Sequence, residues 1–112
     1  MIRTGVAKKL TLYVDETDKY EGKPVYEVLM DIFYKQRIAG VSVFRGVAGY
    51  GSDGIFHTSK MLELSTSLPV KLEVIDSEEM LTRVLPLISD VVGKGLIEIS
   101  DTLVIKCSKK TS

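Results

Sequence analysis

Gly40-Val41-Ser42-Val43-Phe44-Arg45-Gly46-Val47-Ala48-Gly49-Tyr50-Gly51-Ser52-Asp53-Gly54 is the stretch on which the reading of the fold turns. A β-branched apolar run passes through Arg45 into glycines at 46, 49, 51 and 54, a density that means backbone turning tightly or lying close to something else. Its second half, Gly49 to Gly54, spells GxGxxG, and Asp76 falls near the position where a dinucleotide-binding unit carries its ribose-binding acid. The context opposes that reading. The preceding strand contains an arginine, Ile55-Phe56-His57-Thr58-Ser59 is too β-branched and polar to open a helix, and 112 residues are few for a doubly wound sheet.

Upstream, Leu10, Leu12 and Val14 alternate with Lys9, Thr11 and Tyr13, which predicts a strand over 8–15 with one buried face. An acidic run, Asp15 to Glu21, reads as a solvated loop. Gly22-Lys23-Pro24 then opens a helix, and Val25, Val28, Leu29, Ile32 and Phe33 form its buried stripe, with Gly40 soon after its end. A second strand is expected over 41–48 and a third over 69–76. Ser77 caps a second helix that carries Glu78 and Glu79 in its first turn and Leu81, Val84, Leu85, Ile88, Val91 and Val92 on one face. Pro86 lies within that stripe and predicts a kink or a lost hydrogen bond near Thr82. Gly93-Lys94-Gly95 ends the helix, and a last strand covers 96–106, with Ser100-Asp101 as a bulge or turn in it.

The order β-α-β, long connection, β-α-β specifies an α+β, ferredoxin-like βαββαβ domain over residues 1–112, a four-stranded antiparallel sheet with both helices on one face. Neither side of the second strand reads as solvated: Val43 and Val47 share a face with Arg45, and Phe44 and Ala48 take the other. An apolar outer sheet face is expected to be covered by another subunit. The connection from Gly49 to Leu68 is long for a compact domain, so it is either a functional loop or hides an element such as a strand over 60–64.

Basic and acidic side chains number 15 each, so no global field draws the chain to nucleic acid or an anionic membrane. The single cysteine, Cys107, excludes an internal disulfide, and the chain opens without a long apolar run, which makes a cytoplasmic protein the expectation.

The succession Val43-Phe44-Arg45-Gly46, Gly49-Tyr50-Gly51, Ile55-Phe56-His57-Thr58, Leu68-Pro69-Val70 and Gly95-Leu96-Ile97 resembles the PII-like family known as domain of unknown function 190, from Leu10 to Val104. That family is similar at fold level to the PII signalling proteins. The resemblance implies a non-enzymatic homotrimer that binds adenine nucleotides in clefts between subunits. It also implies that the base of a long loop, here Gly49 to Ser67, and a glycine-rich turn, here Gly93-Lys94-Gly95, hold the phosphates while the loop tip engages a partner protein. Genes of the family often lie near a small fluoride-exporting channel, which implies a membrane transporter or channel as that partner. The chain departs from PII proteins in having a short turn with one lysine before its last strand, and only Lys106, Lys109 and Lys110 after it.

The chemistry of these residues suits the role independently, because glycines expose N–H groups to an anion and Lys94 is a point charge for phosphate. The candidate ligand-binding residues are therefore Arg45, Gly49, Tyr50, Gly51, Gly93, Lys94 and Gly95. Plainer readings stand beside these: Arg45 in an inter-subunit salt bridge, Tyr50 as a loop aromatic, the glycines at 93 and 95 as a helix end. A different class of function, a metal-handling trimer like the divalent-ion tolerance proteins, would use His57, Asp53 and Cys107. No second histidine exists and metal-site spacing is absent. No catalytic constellation can be read from the spacing.

Overall fold

The computed structural model describes residues 3–51, 54–58 and 67–107. Apolar alternation organises it around β1 (Gly5–Asp15), which starts three residues before the expected strand. This strand is central: β7 (Pro69–Asp76) lies antiparallel on one side of it and β8 (Leu96–Val104) on the other, with β4 (Val41–Arg45) beyond β7. The sheet order β4-β7-β1-β8 and two helices make the expected ferredoxin-like arrangement.

Registered antiparallel partners share a face, so the alternation propagates across the sheet. Leu12 stands between Leu72 and Ile97, and Leu10 between Val74 and Ile99. Against that face α1 (Val25–Lys35) buries Val25, Leu29 and Phe33, and α2 (Glu78–Val92) buries Leu81, Val84, Ile88, Val91 and Val92. Both stripes are those read from the 3.6-residue spacing. Ser77 caps α2 by accepting a hydrogen bond from Met80 N at 3.2 Å. The helix runs unbroken through Pro86; Thr82 and Pro86 are both exposed, so the carbonyl that proline cannot serve faces water.

The opposite face corrects the expectation of an apolar outer surface. Its rows run Phe44, Lys71, Tyr13, Leu96 and Ser42, Glu73, Thr11, Glu98. Glu73 binds Lys9 at 3.3 Å and Lys71 at 3.6 Å, and the Lys71 ammonium stands 4.9 Å from the centroid of the Phe44 ring. Charged and hydroxyl side chains are interspersed there with Phe44, Tyr13 and Leu96. Further corrections concern strand ends. The last strand stops at Val104 and pairs without a bulge through Ser100 and Asp101, where Lys8 and Asp101 form an ion pair. The second strand breaks after Arg45, and Val47 turns out to solvent.

Two features depart from the sequence reading, which takes Asp15 to Glu21 as a loop and Gly22-Lys23-Pro24 as the opening of the helix. Tyr20-Glu21-Gly22-Lys23 forms a two-residue hairpin between β2 (Lys19–Tyr20) and β3 (Lys23–Pro24), with positive φ at Glu21 and Gly22. The C-terminus of α1 is closed at Arg37, not at Gly40. Arg37 is left-handed at φ 63°, its N–H donates to Tyr34 O, and Ile38 N donates to Phe33 O, the paired bonds of a Schellman motif. The suggested strand over 60–64 lies outside the described residues.

Candidate functional site

Three turns converge where β1 ends. The first, Asp15 to Asp18, was expected to be a solvated loop and is instead tightly bonded. Asp15 N donates to Asp18 Oδ2 at 3.1 Å and Asp18 N to Asp15 O at 3.0 Å, while Asp18 O receives the first amide of α1, Val25 N, at 2.9 Å. Glu16 N donates to Leu68 O and the Thr17 hydroxyl to Ser67 Oγ, which ties the turn to the chain entering β7.

The second turn leaves β4. Gly46 N donates to Pro69 O at 2.7 Å, and the chain then forms β5 (Ala48–Gly49) against β6 (His57–Thr58), with Gly49 opposite His57. A Cβ on Gly46 would meet Pro69 Cγ at 2.7 Å, so glycine is what allows the chain to lie on the proline ring. Beyond the ladder, Tyr50 and Phe56 stack with centroids 4.7 Å apart.

The third turn joins α2 to β8. Gly93 has φ 60° and Gly95 N donates to Val92 O at 3.0 Å. A Cβ on Gly95 would overlap the carbonyl oxygen of Tyr13 and stand 2.9 Å from Val92 Cγ1. Close packing against β1 therefore requires glycine there.

Between the second and third turns lies a cleft of about 530 Å³. Tyr13, Val14, Pro69 and Leu96 form its apolar floor, and Gly49, Tyr50 and Gly51 one wall. Lys94 and Gly95 stand opposite, and Asp15 and Asp18 complete the lining. Lys94 Nζ lies 3.6 Å from Asp18 Oδ1 and 3.9 Å from Asp15 Oδ2, with 75% of the lysine side chain exposed but only 16% of Asp18. Among the described residues the lining thus carries two carboxylates and one ammonium, and the contacts between them are long.

Five of the seven residues singled out as ligand-binding from sequence, Gly49, Tyr50, Gly51, Lys94 and Gly95, line this one cleft. Gly93 does not line it and terminates α2. Arg45 is also outside: its guanidinium forms a two-point ion pair with Glu16, with Nη2 donating to Oε1 at 3.1 Å. Sequence reasoning missed Tyr13, Val14, Asp15, Asp18, Pro69 and Leu96. Tyr13 and Pro69 carried no signal beyond strand membership. The two aspartates, three apart at the end of a strand, carried the signature of a side-chain-closed turn.

The metal-binding candidates are not assembled by the described residues. His57 is placed by its backbone opposite Gly49. Cys107 follows Val104, whose partner Gly5 begins β1, so it sits at the other end of the sheet. Asp53 lies outside the described residues, and among those described no group of three or more His, Cys, Asp or Glu could hold a metal ion. No helix among the described residues is long and apolar enough to cross a membrane.

The chain can now be set beside known proteins. The model of the DUF190 family, described as "Uncharacterized ACR", matches residues 7–104. A UPF0166 protein of Methanocaldococcus jannaschii is 41% identical over 101 residues, covering 89% of this chain and 93% of that protein. One of Aquifex aeolicus is 38% identical over 100 residues, covering 88% and 92%. Among solved structures, CPII, a nitrogen regulatory PII-like protein from Thiomonas intermedia bound to ADP, AMP and bicarbonate, superposes with a TM-score of 0.69 at 18% identity over 95% of this chain and 94% of its own. The same protein bound to ADP and bicarbonate gives a TM-score of 0.67 at 18% identity over 95% of both chains. At that identity the likeness establishes a PII-like fold.

Proposed function

Since the chain belongs to the uncharacterised DUF190 family and has a PII-like fold, we propose that it is a non-enzymatic regulatory protein that binds an adenine nucleotide in the cleft between Gly49-Tyr50-Gly51 and Lys94-Gly95. The observation that carries this reading is the meeting of two glycine turns, remote in sequence, across an apolar floor with a lysine beside them. The floor suits a flat heteroaromatic base, Tyr50 offers a stacking face at the wall, and Lys94 offers a charge for phosphate. The PII-like neighbour bound to ADP and AMP supports the same ligand class.

In this reading the protein is a cytoplasmic homotrimer with its clefts at the subunit boundaries. β8 is an edge strand of nine residues that exposes Leu96, Ile99 and Leu103, and such an edge gains by being covered. The loop 49–67 serves to engage a partner, such as a membrane transporter or channel. Its described base exposes Tyr50, Ile55 and Phe56, apolar surface that a docking partner would bury.

The test is calorimetric titration of ADP and AMP, with light scattering for the oligomer. Saturable binding on a trimer is expected, with a thermal shift of several degrees, since ligand at a hundred times its dissociation constant stabilises a fold by about 2.7 kcal/mol. Absence of heat and of any shift with every adenine nucleotide would overturn the ligand assignment.

A further inference from the structure

The charges around the cleft bear on how many phosphates it accepts, an inference that rests on the nucleotide reading above. Lys94 is the one cation among the described residues lining the cleft, and it already stands between Asp18 and Asp15. Two neighbouring cations are themselves paired: Lys71, in the same cross-strand row as Tyr13 and Leu96, with Glu73 at 3.6 Å, and Arg45 with Glu16. A single phosphate can take Lys94 from its two carboxylates at little cost, because those contacts are long and the lysine is exposed. Each further phosphate adds a negative charge beside two carboxylates, with no second cation among the described residues of the lining to meet it.

We infer that Asp15 and Asp18 set the charge limit of the cleft, so that it takes a nucleoside monophosphate in preference to di- and triphosphates. The two act as specificity-determining residues through repulsion, the element that discriminates between ligands sharing every attractive contact. Asp18 cannot swing away to relieve that repulsion. Its Oδ2 is held by Asp15 N, its carbonyl by Val25 N, and its side chain is largely buried.

The experiment is titration of AMP, ADP and ATP, kept free of divalent metal by a chelator, against the unmodified protein, Asp15→Asn and Asp18→Asn. Asparagine retains an oxygen that can accept the Asp15 amide, so the turn keeps its bond, and Asp15→Asn leaves that bond untouched altogether. The dissociation constant is expected to rise from AMP to ADP to ATP. Each variant should lower that of ATP by roughly three- to tenfold, the effect of one charge at this range in a partly solvated site, and that of AMP by less. Higher salt should narrow the AMP-to-ATP ratio of the unmodified protein. ATP binding as tightly as AMP, or a ratio unchanged in both variants, overturns the charge limit and leaves the nucleotide assignment standing. No binding by any of the three overturns both.

Discussion

Each half of this domain sends a helix back into an edge strand, α1 into β4 and α2 into β8, yet the two turns that do so are built in opposite ways. The turn after α1 is sealed. Arg37 and Ile38 return their amides to the helix, Ile38 packs against the core, and Ala39 N donates to the fully buried Asp76 at 2.8 Å. The same carboxylate accepts Ser77 N at 2.7 Å, so one side chain joins the end of the first helix to the start of the second. In the turn after α2, Gly95 lies against the backbone of β1 and the preceding lysine, Lys94, lines the cleft. Equivalent positions in a repeated topology have thus been spent on closure in one case and on a surface that can meet a ligand in the other.

That contrast can be broken most severely at Gly95. Gly95→Ala forces a Cβ into the Tyr13 carbonyl, where backbone cannot yield, and should cost on the order of 3 kcal/mol, read as a fall in the urea midpoint. Gly51→Ala is its control: a Cβ there meets nothing within 4 Å, and the midpoint should hold. Asp76→Ala attacks the sealed turn and should cost about 2–3 kcal/mol, because two amides lose a buried acceptor. A change below about 0.5 kcal/mol would mean that the first turn is held without its clamp. Arg37→Gly should stabilise by about 0.5–1 kcal/mol, since glycine adopts the left-handed conformation that arginine bears there at a cost, and a destabilised variant would refute that account. Lys94→Ala should change stability by less than about 0.5 kcal/mol, its ion pairs being exposed, while weakening AMP roughly tenfold. Equal AMP affinity in that variant would separate the second turn from the ligand.

Most of the architecture was legible because it follows from periodicity. The β1 and β7 alternation and the two helical stripes each encode a buried face in local sequence, and the sheet order follows from joining them. What periodicity does not encode is where a strand yields. Val41 to Ala48 reads as one continuous strand, but the break at Gly46, where the chain lies on Pro69, depends on a residue more than twenty positions away. The regular pairing through Ser100 and Asp101 likewise sets Asp101 opposite its ion-pair partner Lys8, at the far end of the sequence. For the cleft, the glycines and Lys94 were legible as residue types that suit an anion. Arg45 was drawn off by Glu16, and Asp15 and Asp18 entered the lining, because those pairings join turns that only the folded sheet brings together.

The stacked ring of Tyr50 has a practical consequence. The chain contains five tyrosines and no tryptophan, so its ultraviolet emission is tyrosine emission. Two of the five, Tyr13 on the floor and Tyr50 on the wall, border the cleft, and Tyr50 already lies against Phe56. The protein therefore carries its own optical gauge: a molecule entering between those rings would alter their emission and their near-ultraviolet dichroism, and Tyr50→Phe would silence one of the two signals while keeping the ring.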